Sequence, residues 1–449
     1  MKQLTERFTG PVLTPDDERY DAERTGWQTA RAHRPDLVVG AATPADVQAA
    51  VKHAADHGLP VAVQGTGHAS AAVAAEGGVL ITTERMAAVR VDPDAATAWV
   101  AAGTRWNQVV SETAPFGLAP LSGSAPHVGA VSYTLGGGLG LLSRTYGYAA
   151  DHVRSLDVVT ADGHLRHVTP DNEPDLFWAL RGGRDNFGVV TGMEIDLVPV
   201  TTIYGGTLIF SGERTAEIFD AYLQWTATVP EAMNSSIASI LSPNLPAIPE
   251  PLRGRRTVHI RISYTAGDLA TAESLVAPLR TLGTMIDTVG KMAFADSGVI
   301  HNDPVAPTAA ESSTAMLGDL NSDALPALLE QEPTPHIVEL RHLGGAMARP
   351  PAIPNAVGNR DARFLLNLVS PLASAELSRI RTAHERIIAA LGPWDTGGRF
   401  LNYLSGHGAA SQVRAAYSPA DYRRLSEIKA VYDPHNTFRL NHNIAPAKD

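Results

Sequence analysis

The spacing of apolar residues divides the chain into short β-rich runs and amphipathic helices. Residues 37–39 (Leu-Val-Val) have a strand pattern. Residues 44–57 follow as a helix, with Thr43 placed to cap it, Pro44 in its first turn and Gly58 closing it. Residues 60–63 form the next strand and run straight into the glycine-bearing turn Gln64-Gly65-Thr66-Gly67-His68. Further strands are expected at 79–82 and 98–101, and a short helix at 104–114. Residues 156–160 and 164–168 flank an Asp-Gly turn, which predicts a hairpin.

The texture changes near residue 203. Strands are expected at 207–210, 258–264, 338–342 and 363–369, and helices at 213–228, 270–282 and 375–391. Residues 258–264 alternate apolar and polar, as in a sheet with one covered face. The combination predicts an antiparallel sheet backed by helices. The Pro-rich stretches 243–251 and 349–354 read as loops. A last helix has Ser418 as its cap, Pro419 at its start and Tyr422, Leu425, Ile428 and Tyr432 on one face. Asp433-Pro434 ends it, and an amide-rich tail follows at 438–444.

At 449 residues the chain exceeds the roughly 250–300 at which one hydrophobic core stops growing, so two domains are expected. Its formal net charge of -11 disfavours nucleic acid as a partner. With no cysteine, disulfides, thiolate metal sites and cysteine nucleophiles are excluded. His53 and His57 are spaced one helical turn apart but lack a recognisable third ligand, so no metal site is expected. The first eight residues lack the apolar stretch of a signal peptide, and no apolar run is long enough to span a bilayer. The expectation is a cytoplasmic protein, monomer or homodimer, with no membrane partner.

Three glycine-rich segments stand out: 64–69, 134–140 and 181–191. Each can turn several backbone N–H groups to one concave side, as a pyrophosphate requires. None fits the dinucleotide fingerprint: Ser70 stands where its third glycine belongs, and no Walker lysine is present.

These segments carry a resemblance. Val63 to Ala69, Ser122 to Gly129 with Thr134 to Gly140, Phe177 to Gly183 with Asn186 to Thr191, Asn402-Tyr403 and Tyr432 to Phe438 occur in the order found in berberine-bridge-enzyme-like FAD-linked oxidases. Those enzymes belong to the wider vanillyl-alcohol-oxidase superfamily. Phe8-Thr9-Gly10, Tyr20-Asp21 and Trp27 resemble the family's leading segment. The resemblance implies an α+β fold: a two-part FAD-binding domain over 1–200, a substrate domain over 201–395, and a segment 396–449 returning to the first. It implies FAD bound by Gln64, Gly65, Thr66, Gly67, His68, Ala69, Ser122, Ala125, Val128, Gly129, Thr134, Leu135, Gly136, Gly137, Gly138, Gly140, Gly188, Val189, Val190, Asn441 and Asn443. It further implies one covalent bond, from His68 to the flavin 8α-methyl. The second, cysteinyl bond of many relatives falls at Ala125 and cannot form.

The implied reaction is an oxidation of a small organic alcohol, amine or activated C–H, with O2 as the second substrate. Val128 stands where relatives control oxygen access, and a valine there resembles the oxygen-permitting type. Tyr403, beside Asn402, is the leading catalytic candidate; Arg341 and His342 come second. Some relatives place a carboxylate on the strand corresponding to 363–369, but here it offers Leu365, Leu366 and Asn367. A natural-product substrate is favoured over a sugar. A carbohydrate oxidase, and a non-redox cyclase or carrier that keeps flavin, are the alternatives.

Overall fold

The computed structural model describes residues 7–69, 74–246, 248–329 and 335–448. Residues 1–6, Ser70, where the third fingerprint glycine would fall, and position 247 of the first Pro-rich stretch lie outside the described residues.

Elements up to Asp196 build two sheets. In the first, the strands Leu37–Gly40, Val79–Thr82 and Val61–Gln64 run parallel in that order, and Val12–Leu13 adds an antiparallel edge. The helix Pro44–Asp56 covers it, burying Val47, Ala50, Val51 and Ala54. The expected cap is present and doubled: Asp46 N–H donates to Thr43 Oγ1, while the Asp46 carboxylate accepts from Thr43 N–H. The second sheet, of five antiparallel strands, is ordered Val89–Asp92, Thr97–Ala101, Val189–Asp196, Val153–Val159 and Leu165–Val168. It contains the predicted hairpin, with Gly163 at φ 76° in its turn.

Residues 202–371 form an eight-stranded sheet whose strand pairs are all antiparallel. Helices Thr215–Thr226, Leu269–Arg280 and Leu377–Ala390 cover one face, through Ile218, Phe219, Val276, Leu279 and Ile387. Val258, Ile260 and Ile262 point to that covered face, so Arg261 and Ser263 occupy the other. This is the predicted α+β architecture.

Several boundaries differ from expectation for local reasons. The helix expected at 104–114 starts at Trp106, because the Thr104 hydroxyl is engaged with the Ala88 backbone. The segment 134–140 is not loop throughout: Thr134 and Leu135 close the helix Ala130–Leu135. Arg181 to Gly183 likewise end the helix Pro174–Gly183. Two long strands, Met233–Leu241 and Ala310–Leu317, had no counterpart in the pattern.

Candidate active site

The strand Val61–Gln64 ends in the turn that carries His68. The backbone of Trp27 and Gln28 crosses this turn, donating to the carbonyls of Thr66 (3.0 Å) and Gly67 (3.1 Å). The crossing is so close that a Cβ on Gly67 would lie 2.3 Å from Gly26 Cα, and Gly67 has φ 72°; both facts demand glycine. Thr66 Oγ1 accepts from Gly129 N–H (3.2 Å) and shares a hydrogen bond with His68 Nδ1 (2.8 Å). Trp27 stacks on the imidazole, and His127 lies 5.1 Å away, ring to ring. Burial, with His127 and Arg105 adding positive repulsion, lowers the His68 pKa to about 3, so the ring is neutral.

The loop holding Ser122, Ala125, Val128 and Gly129 is strapped to the start of the Trp106–Thr113 helix. Trp106 N–H donates to Val128 O and Asn107 N–H to Pro126 O, at 3.0 and 2.8 Å. Gly140 packs on this loop: a Cβ there would sit 2.0 Å from Ser122 O. Asn402 Nδ2 donates to Tyr133 O (2.7 Å), which brings the C-terminal segment against Gly136. Gly137 and Gly138 continue that turn at positive φ. The side chains of Val189 and Val190 lie in the hydrophobic cores, and Gly188 presses on Val159 O, so these three reach the site only through backbone.

The tail returns to the first sheet, where Val61 N–H donates to Thr437 O at 2.8 Å. Lys429 and Asp433, both fully buried, form the bolt. Lys429 Nζ donates to the Asp433 carboxylate (2.6 Å) and to Asn186 O and Phe438 O, and the same carboxylate accepts from Thr437 and Phe438 N–H. Asn186 holds the next turn through His442 O and Ile444 N–H. Asn441 and Asn443 are thereby set in place.

On the open face of the large sheet, the Arg341 guanidinium lies 5.3 Å from the centre of the Tyr403 ring. A basic tyrosine would need such a positive neighbour, and it is present. Burial nevertheless outweighs it and raises the Tyr403 pKa to about 12. The strand Phe364–Pro371 carries no carboxylate, as its sequence showed, but the neighbouring strand places Glu339 directly across from Asn367. It bonds to Arg261 (2.9 Å) and Arg341 (3.1 Å), whose charges keep it ionised despite full burial. Sequence reasoning missed Glu339, Trp27 as a ring partner of His68, and Tyr133; only the alternation in 338–342 hinted that position 339 faces the site. Among the described residues there is no group of three or more His, Asp or Glu placed to hold a metal ion. No helix among them is long and apolar enough to cross a membrane.

The unpartnered polar atoms fit a large polar cofactor. Gln64 Oε1, His68 Nε2 and Tyr133 Oη from the first 200 residues, and Asn436, Asn441 and Asn443 Oδ1 from the tail, are buried without a hydrogen-bond partner. Buried polar atoms are rarely left so unless a ligand or water completes them. A mixture of donors and acceptors suits a flavin ring and its ribityl chain.

Comparison with known proteins agrees. Residues 35–169 match a family described as FAD binding domain, and 399–445 match one described as berberine and berberine like. (R)-6-hydroxynicotine oxidase of Paenarthrobacter nicotinovorans is 29% identical over 466 residues, covering 97% of both chains. An uncharacterized FAD-linked oxidoreductase of Bacillus subtilis (strain 168) is 26% identical over 98% of both. The crystal structure of 6-hydroxy-D-nicotine oxidase from Arthrobacter nicotinovorans superposes with a TM-score of 0.84 at 25% identity, over 98% of each chain. A xylooligosaccharide oxidase from Myceliophthora thermophila C1 shares the fold, with a TM-score of 0.86 at 20% identity over 100% of this chain and 99% of that one. The chain is thus an FAD-linked oxidoreductase that carries an FAD-binding domain and a berberine-like C-terminal segment.

Proposed function

We propose that the protein is an oxidase whose FAD is bonded once, through His68, and that it takes hydride from a small alcohol, amine or activated C–H donor. The observation that carries this reading is His68 itself: a neutral, buried imidazole whose Nε2 has no partner. With Nδ1–H donating to Thr66 Oγ1, the Nε2 lone pair is left to bond the flavin methyl. The chain has no cysteine, so no second bond to the ring is available. A single linkage makes a milder oxidant than a double one.

Bound flavin would supply the two-electron acceptor, which O2 returns to its oxidised form as hydrogen peroxide. The residues around it do the rest. Asn402 fixes Tyr403 beside the Gly136 turn. Tyr403 Oη is placed to take the proton from the donor oxygen or nitrogen as the C–H bond breaks, with Arg341 stabilising the charge that develops. Only the phenolate can accept that proton, becoming the neutral phenol as it does so; at a pKa of about 12, about one Tyr403 in 10⁵ is in that form at pH 7. Val128, whose side chain packs against the main core, is the residue assigned to control of oxygen access. Likeness to (R)-6-hydroxynicotine oxidase along the whole chain supports a small-molecule substrate.

Acid precipitation of the purified protein tests the reading. A yellow pellet whose flavin maps to the peptide containing His68 is expected, and His68→Ala should release its flavin to the supernatant. A colourless native protein refutes it.

A further inference from the structure

The large sheet carries a row of positive charge that the proposed reaction uses only in part. Arg261, Ser236 and Arg341 stand directly opposite one another on three neighbouring strands. Paired Cα atoms are about 5 Å apart, so two guanidinium-bearing positions flank Ser236. One carboxylate, Glu339, serves both arginines. A third guanidinium, Arg144, is 5% exposed and turned to the carbonyls of Met233 and Leu343 and to His342. No carboxylate among the described residues forms an ion pair with it. His301 is neutral, pushed down by burial and by Arg261 and Arg341. Asp303 acts on Arg341 from the rim, but it is partly exposed and already accepts from Ser124 Oγ at 2.9 Å. At the cleft itself two guanidinium groups, of Arg261 and Arg341, stand against one buried carboxylate, that of Glu339. The chain as a whole is acidic, net -11, so a general basic surface does not account for this.

Unsatisfied polar atoms at the same place are the second observation. Arg261 Nε, Ser236 Oγ, Ser263 Oγ, His301 Nδ1 and His342 Nδ1 are buried without partners. All five residues line one small cleft between the sheet and residues 139–141. Arg261 is 8% exposed, Ser236 3% and Ser263 1%. A guanidinium only donates, so what completes it must accept, and a net positive buried site favours an anion.

We propose that this pocket binds a carboxylate carried by the substrate. Arg261 and Arg341 are the specificity-determining residues, and Ser236 and Ser263 complete the hydrogen bonds. The proposal rests on the oxidase reading, since Arg341 also faces Tyr403. It narrows the substrate class to acids: an alcohol or amine donor with a carboxylate elsewhere on the molecule.

The test titrates the purified holoprotein with benzoate and with benzamide, its uncharged counterpart, by calorimetry and by the flavin absorbance. Benzoate should bind at least about tenfold more tightly. Arg261→Gln and Ser263→Ala should each shrink that difference, with the melting temperature recorded for both. Should Arg261→Gln fail to fold, Ser263→Ala decides. Equal affinities, or no binding of either compound, overturn the proposal and leave water as the partner of these atoms. So does an Arg261→Gln protein that melts like the parent and keeps full discrimination. Colourless protein counts against the flavin reading instead, and benzoate heat in that protein still supports the pocket.

Discussion

The indole of Trp27 lies 4.6 Å from the His68 imidazole, with the two ring planes 8° apart. Trp27 is tied at both ends: its N–H donates to Thr66 O, and its Nε1 donates to Pro304 O at 3.2 Å. The indole therefore holds the imidazole plane fixed, as a positioning residue.

Trp27→Ala should slow covalent attachment of flavin about fivefold, since an aromatic pair contributes about 1 kcal/mol. Trp27→Phe should restore most of the rate. The fraction of acid-stable flavin against time after adding FAD to apoprotein measures it. An unchanged rate in Trp27→Ala would show that Thr66 alone sets the ring.

Tyr403→Phe should lower the rate of anaerobic flavin bleaching by substrate about 10²–10⁴-fold, while acid-stable flavin content stays at the parent level. Because burial raises the phenol pKa to about 12, the parent rate should climb with pH across the neutral range and beyond, with no plateau near 7. A pH-independent parent rate would remove Tyr403 from the proton path.

Glu339→Gln should destabilise the fold by about 3–5 kcal/mol, because Arg261 and Arg341 would remain buried without their carboxylate. Urea unfolding followed by tryptophan fluorescence reads this directly. A loss below about 1 kcal/mol would mean that water already solvates the pair.

How much of this was legible beforehand depends on the residue types involved. The turn at 64–68 could be read because a β-branched strand ends in two glycines and a histidine. The capped helix Pro44–Asp56 could be read because Thr43, Pro44 and Asp46 each act locally. Met233–Leu241 and Ala310–Leu317 could not. Their buried residues include Ser235, Ser236, Ser239 and Glu311, which have no preference for strands and are buried because the sheet pairs them. Glu339 escaped for a related reason: register places it across from Asn367, and register is a property of paired strands rather than of either alone.

Acid should unfold the protein early. Burial lowers the pKa of His342 to about 2, of His259 and His442 to about 3, and of His384 to about 4. In the unfolded chain these groups bind protons near pH 6.5. Between the two values the unfolded state holds more protons, so stability is complete above pH 6.5 and declines as pH falls. Each contributes up to about 1.4 kcal/mol per pH unit. The melting temperature should drop steadily from pH 7 to pH 5; a flat profile would contradict the neutral assignment.

The bolt formed by Lys429 and Asp433 has a consequence for biogenesis. Phe438 packs into the first sheet, and Thr437 O completes the backbone of Val61, yet some 370 residues separate that tail from the His68 turn. A nascent chain emerging from the ribosome therefore displays the histidine long before the opposite wall of its pocket exists. On the proposed reading the flavin site is complete only once residues 437–444 have been made, so translation sets the earliest moment at which it can be filled.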